Sequence, residues 1–262
     1  MRLAAFAAVA ACLVLSACAT EPADESGLRP TIPTTGNESD ARMRARIHTE
    51  LAANYFEIGN VGVALEEIKE ALRADANYGP AHNVAGLVYA QLKEDRLAEE
   101  SFERALSINP SDPDAHHNYG MFLCQRKQEK EAIRHFMLAV RNPLYPTPDR
   151  SYVNAGICAR RSGDMAGAAE YFQLALKIRP NQPQALYQMA DLAYARGDYG
   201  ETKRYLGRLT QVAPATAEAL WLGVRVERRL GDRNSEASYA LQLRNRFPNS
   251  REAGALRAGQ YE

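Results

Sequence analysis

GPAHNVAGLVYAQLKEDRLAEESFERALSINPSD, residues 79–112, is followed at once by PDAHHNYGMFLCQRKQEKEAIRHFMLAVRNPLYP, residues 113–146. Laid one over the other, these stretches put glycine on glycine (Gly86, Gly120) and phenylalanine on phenylalanine (Phe102, Phe136). Alanine also falls on alanine twice (Ala98 on Ala132, Ala105 on Ala139). Extended outward, the register starts units at Ala45, Gly79, Pro113, Asp149, Pro183 and Ala217, with every step 34 residues except one of 36. Position 8 is then Ala52, Gly86, Gly120, Gly156, Ala190 and Val224, and position 24 is Ile68, Phe102, Phe136, Phe172, Leu206 and Ala240. Small residues at positions 8 and 20 let two antiparallel helices approach closely, and a large apolar residue at position 24 fills the space beside them. Pro110, Pro180, Pro214 and Pro248 stop the second helix of their units, since proline lacks an N–H and clashes with the preceding turn. Gly59, Gly163, Gly197 and Gly231 fall between the two helices, where positive φ is useful.

This pattern resembles the tetratricopeptide repeat. It predicts an all-α, right-handed superhelix of about six helix-turn-helix units, with a short capping helix over residues 250–258. The solenoid should run over 41–258, with units at 45–78, 79–112, 113–146, 149–182, 183–216 and 217–250. One unit cannot bury its own apolar faces, whereas a stack can. The sixth unit departs from the pattern at Glu227, Glu236 and Ala240, which reads as a polar outer face ending the stack in water.

Upstream, Arg2 and the apolar run Leu3 to Leu15 form a signal peptide over residues 1–17. Thirteen helical residues span about 20 Å, short of the roughly 30 Å hydrocarbon core. Leu15-Ser16-Ala17-Cys18 resembles a bacterial lipobox, so Cys18 is the expected acylation site, and Ala19 implies sorting to the outer membrane. Residues 18–40, rich in proline, serine and threonine, cannot bury enough surface to hold a fold and read as a tether.

Charges balance, 32 basic against 32 acidic, which excludes a global field drawing the chain to nucleic acid. No phosphate loop, HExxH or nucleophile elbow occurs, so no enzyme, cofactor or metal is expected. His48, His82 and His116 recur at position 4, but helices 8–10 Å apart cannot bring three such nitrogens to about 2 Å from one metal. They read as packing residues. Cys124 and Cys158 fall on adjacent first helices, and in an oxidising compartment they are disulfide candidates; two buried free thiols are the alternative. The concave groove of such a stack is lined by first-helix positions. Here these include Asn83, Leu87, His117, Met121, Val153, Ile157, Tyr187, Asp191, Trp221 and Arg225, a mixed apolar and amide lining suited to a peptide. Trp221, the only tryptophan, is a candidate anchor or else packs on the terminal helix.

The rhythm breaks at Asn142 to Ser151 (NPLYPTPDRS). Asn118-Tyr119-Gly120, Leu144-Tyr145-Pro146, Asn154-Ala155-Gly156, the run Asn181 to Tyr199 and the run Ser238 to Ser250 are similar to the PilF/PilW family of type IV pilus biogenesis lipoproteins. The resemblance implies an outer-membrane, lipid-anchored scaffold facing the periplasm. Its implied partner is the secretin of the pilus pore, which it would help to localise and multimerise; stabilising extended pili is the other implied role. A general periplasmic adaptor organising peptidoglycan machinery has the same lipobox and repeats and stays open.

Overall fold

The computed structural model describes residues 38–261; the expected signal peptide, Cys18 and most of the tether lie outside them. Among the described residues the chain is all helix, in six antiparallel pairs and one last helix. The pairs are α1 (Asp40–Glu57) with α2 (Val61–Ala74), α3 (Gly79–Gln91) with α4 (Asp95–Ile108), and α5 (Pro113–Gln125) with α6 (Glu129–Arg141). They continue as α7 (Pro148–Arg161) with α8 (Met165–Ile178), α9 (Pro183–Ala195) with α10 (Tyr199–Val212), and α11 (Ala217–Leu230) with α12 (Arg233–Arg246). The last helix, α13, is Arg251–Ala258. Each pair stacks on the next, the second helix of one against the first helix of the following pair, as an all-α solenoid requires.

The repeat pattern becomes packing as expected. Phe102, Phe136 and Phe172 are fully buried. Their rings lie where a Cβ on Gly86, Gly120 and Gly156 would sit, at 2.6, 2.9 and 2.5 Å respectively. The first and fifth units pair a larger position 8 with a smaller position 24, Ala52 with Ile68 and Ala190 with Leu206, all buried. Volume is thus shared between the two positions.

Turn chemistry sets the hairpins. Gly59, Gly163, Gly197 and Gly231 have φ between 78° and 88°. Lys93 and Lys127 hold the same turn position in the second and third units at φ 62° and 61°, where a Cβ is strained. Asn60, Asp164, Asp198 and Asp232 then cap the second helices by accepting from backbone N–H groups. Such a cap contributes about 1 kcal/mol.

Two expectations for the sixth unit need correction. The small–aromatic pair is present but displaced by one residue, because Tyr239 lies 2.7 Å from a Cβ built on Gly223. Glu227 is not on a polar outer face. It is 2% exposed, and its carboxylate accepts from Lys203 Nζ at 3.0 Å. Glu236 pairs with Arg228 at 3.0 Å. The end is covered instead by α13, capped by Ser250, whose Ala253 packs with Leu220 and Leu243.

The two-residue insertion bulges without parting the stack. Asn142 Oδ1 accepts from Leu144 N at 2.9 Å, closing a tight turn. Leu144 is left 87% exposed, while Tyr145 turns inward and is buried. Pro148 then starts α7 at its first position, where a missing N–H costs nothing.

Candidate functional site

The first helices α3, α5, α7, α9 and α11 stand along one side of the solenoid, and their outward positions form its concave face. Side-chain length decides which position-5 residues reach it. His117, Tyr187 and Trp221 are half-buried and extend into the groove. Val153 does not: it is 1% exposed and belongs to the core with Phe172 and Leu186, because a short branched side chain ends inside the packed layer. Asn83, 7% exposed, is nearly withdrawn as well and accepts from Asn118 Nδ2 at 3.1 Å. Leu87 is half-buried against Phe102 and its neighbours.

At mid-groove, the insertion supplies a wall. Tyr145, Thr147 and Arg150 join Asp114, His117, Asn118, Met121, Asn154, Gln182 and Gln184 around a hollow of about 570 Å³. His117 Nδ1 lies 2.7 Å from Ser151 Oγ, which donates to the Tyr145 hydroxyl at 3.3 Å, and Asn154 Nδ2 faces His117 Nε2 at 3.5 Å. These partners suit a neutral imidazole that donates from Nδ1. Burial, assisted by the Arg150 charge, lowers the His117 pKa to about 4. The serine is fully buried and no carboxylate orients the ring, so the pair fixes the wall and offers no accessible nucleophile.

The position-4 histidines are each held locally. His48 Nδ1 meets Glu67 at 2.7 Å, and His82 Nε2 meets the Ala76 carbonyl at 3.0 Å. His116 Nε2 donates to the Pro110 carbonyl at 3.0 Å, which leaves its Nδ1 to accept from His135 Nδ1 at 2.9 Å. His135 Nε2 in turn faces Arg134 at 3.2 Å. Burial lowers the pKa of both rings, that of His135 to about 4, and the Arg134 charge lowers both further. Among the described residues no three His, Cys, Asp or Glu side chains converge as metal ligands.

Cys124 on α5 and Cys158 on α7 have Cα atoms 5.9 Å apart, within the range a disulfide needs, and the structure joins their sulfurs. Met121 and Ile157, both half-buried, flank that bridge around a small hollow shared with Phe136 and Arg161.

Towards the C-terminal end the groove becomes charged. Tyr187 and Gln188 line a cleft of about 410 Å³ with Leu209, Ala213 and Pro214. Burial, then the nearby Asp191, pushes the Tyr187 pKa up to about 12. Arg160 donates to Gln188 Oε1 at 2.7 Å and to Asp191 Oδ2 at 2.5 Å, and Arg225 lies beyond Asp191. Trp221 stacks on Tyr261 with centroids 5.6 Å apart, so one face of the candidate anchor is covered by the chain's own tail.

The arrangement offers a long surface of amides, aromatic rings and arginines that can hydrogen-bond and pack against an extended chain. Arg160, Asn118 and Asn154 belong to it too; the sequence pattern placed none of them in the groove, and marked the two asparagines only as carriers of the family resemblance. Arg160 sits at position 12 of its unit, a groove-facing position, and the register alone could have found it.

Comparison with known proteins matches this fold. Models of the tetratricopeptide repeat match residues 49–113 and 130–183, 101–134, and 159–222. The type IV pilus assembly protein PilF of Pseudomonas aeruginosa is 31% identical over 238 residues, 91% of each chain. The solved structure of P. aeruginosa PilF superposes with a TM-score of 0.77 at 30% identity, covering 85% of this chain and 100% of that one. PilW, described as a widely conserved type IV pilus biogenesis factor, gives 0.73 at 32% identity, covering 81% and 97%.

Proposed function

Because the chain belongs to the PilF/PilW family of type IV pilus biogenesis proteins built from tetratricopeptide repeats, we propose that it is a non-catalytic scaffold holding secretin subunits at the outer membrane while they localise and multimerise. The observation that carries this reading is the relationship to PilF over 91% of both chains. Acylation at Cys18 supplies the anchor: several buried acyl chains, at about 0.8 kcal/mol per methylene, make attachment effectively permanent. The concave face supplies the docking surface. Concentrating subunits on a membrane raises their effective concentration, so assembly is favoured without chemistry.

The test is the state of the secretin in a strain deleted for this gene. Loss of the heat-resistant multimer, or its arrest in the inner membrane, is the expected result. Normal multimers in the outer membrane would rule the secretin role out and favour stabilisation of extended pili. A Cys18→Ala chain left in the periplasm should fail to restore assembly; full restoration would sink the targeting account.

A further inference from the structure

The groove's charged end holds a cation without an adequate partner. Arg225 projects from α11, and its side chain is 19% exposed. Its Nε is buried with no hydrogen-bond partner. The nearest carboxylate oxygen, Asp191 Oδ1, is 3.8 Å from Nη2, too far for a hydrogen bond, and Asp191 Oδ2 is already engaged by Arg160 at 2.5 Å. The guanidinium lies 4.6 Å over the Tyr194 ring, which fixes its plane. It lines two hollows, of about 630 and 470 Å³, with Gln260 in the wall of both. Arg228 and Arg229 line the first, and Arg251 the second alongside the one acidic residue there, Glu252.

A mostly buried guanidinium is costly unless its donors are met, and its planar fork matches a carboxylate in two-point geometry. Both hollows are open to solvent, and Asp191 links Arg225 to the groove residue Arg160, which in turn holds Gln188. We infer that Arg225 is the anion subsite of the concave face, receiving a carboxylate of a bound partner peptide, with Tyr194 below it and the Trp221–Tyr261 stack beside it. The inference rests on reading the concave face as the partner surface and adds what that surface selects: an acidic segment whose carboxylate seats at the C-terminal end of the groove. A phosphate group shares the anionic chemistry but lacks the peptide's attachment to the groove.

The experiment titrates the isotope-labelled full chain with the tripeptide acetyl-Glu-Glu-Phe as free acid, following the Arg225 Nε–H and Trp221 indole N–H signals by NMR. Both signals should shift saturably. The neutral analogue acetyl-Gln-Gln-Phe-amide should bind at least about tenfold more weakly, since charge-assisted hydrogen bonds are the strong ones. Two half-neutralised analogues tell a side-chain carboxylate from a terminal one. Arg225→Gln should lose about tenfold in affinity, and Arg225→Lys less, because it keeps charge without the fork. Asp191→Asn, which removes the competing carboxylate, should tighten binding a few-fold, a gain that no unfolded variant could mimic. Equal shifts with the neutral analogue, unchanged affinity in Arg225→Gln, or no saturable shift would overturn the inference. Displacement by inorganic phosphate at lower concentration than the peptide would do so too, by assigning a phosphate site. The secretin assay is read independently in the deletion strain. Lost multimers together with an indifferent Arg225 would therefore fault this subsite and leave the scaffold reading intact.

Discussion

The pairing of position 8 with position 24 can be tested as a single packing unit. A methyl added at Gly156 would lie 2.5, 2.8 and 2.9 Å from three carbons of the buried Phe172 ring. Ordinary contact begins near 3.4 Å, so the ring or the helix must move by almost an ångström. Overpacking of this kind costs about 1–3 kcal/mol, partly offset by about 1 kcal/mol from alanine's better helix propensity. Gly156→Ala alone should therefore destabilise by about 0–2 kcal/mol. Phe172→Leu alone should cost a similar amount, about 1–2 kcal/mol, through lost contact and a partial cavity. The double variant recreates the Ala190–Leu206 pair, buried at the same two positions one unit away. Its cost should fall below about 1 kcal/mol, giving a coupling near 2 kcal/mol between the two sites. Urea unfolding of the four proteins, followed by circular dichroism at matched slopes, measures the cycle. Strict additivity would refute the argument that volume is traded within each pair.

Three further outcomes follow from the same structure. The folded-state pKa of His117 and His135 is about 4, against about 6.5 unfolded, so protons prefer the unfolded chain between those values. Stability should be flat above pH 6.5 and fall as pH drops towards 4, by roughly 3 kcal/mol at most for each ring; a flat urea midpoint from pH 7 to 4.5 would contradict this. Replacing Cys124 and Cys158 by serine opens a loop closed between residues 34 apart and should cost about 3–4 kcal/mol in urea unfolding without reductant. Lys127→Gly, which relieves a left-handed residue, should raise stability by about 0.5–1 kcal/mol in thermal unfolding, whereas the same change at an exposed mid-helix lysine should lower it.

The repeat was legible because its register rests on volume, and volume is written in residue type: glycine opposite phenylalanine can mean little else at a fixed spacing. The sixth unit misled for the same reason. Gly223 and Tyr239 carry the pairing one residue early, and a fixed register sees only Val224 and Ala240. Glu227 read as surface because a charge is normally solvated, and nothing in its own helix announces Lys203 from the neighbouring unit. Groove membership was half legible. Periodicity gives direction but not reach, so Val153 was placed with His117 and Tyr187 although its side chain stops in the core. The setting of Arg225 was beyond the sequence altogether, since it depends on where the tail at Gln260 and Tyr261 returns to α11.

The Cys124–Cys158 bridge also has a mechanical meaning. A solenoid loaded along its length yields by peeling units apart, and each freed residue adds about 3.3–3.6 Å of contour. The bridge lies across the one junction where the repeat carries two extra residues, joining the third unit to the fourth. With the sulfurs joined, a pull on the two ends bypasses the enclosed segment, withholding on the order of 100 Å of extension. The protein would stretch as two shorter springs held by a rigid link, and reduction would merge them into one.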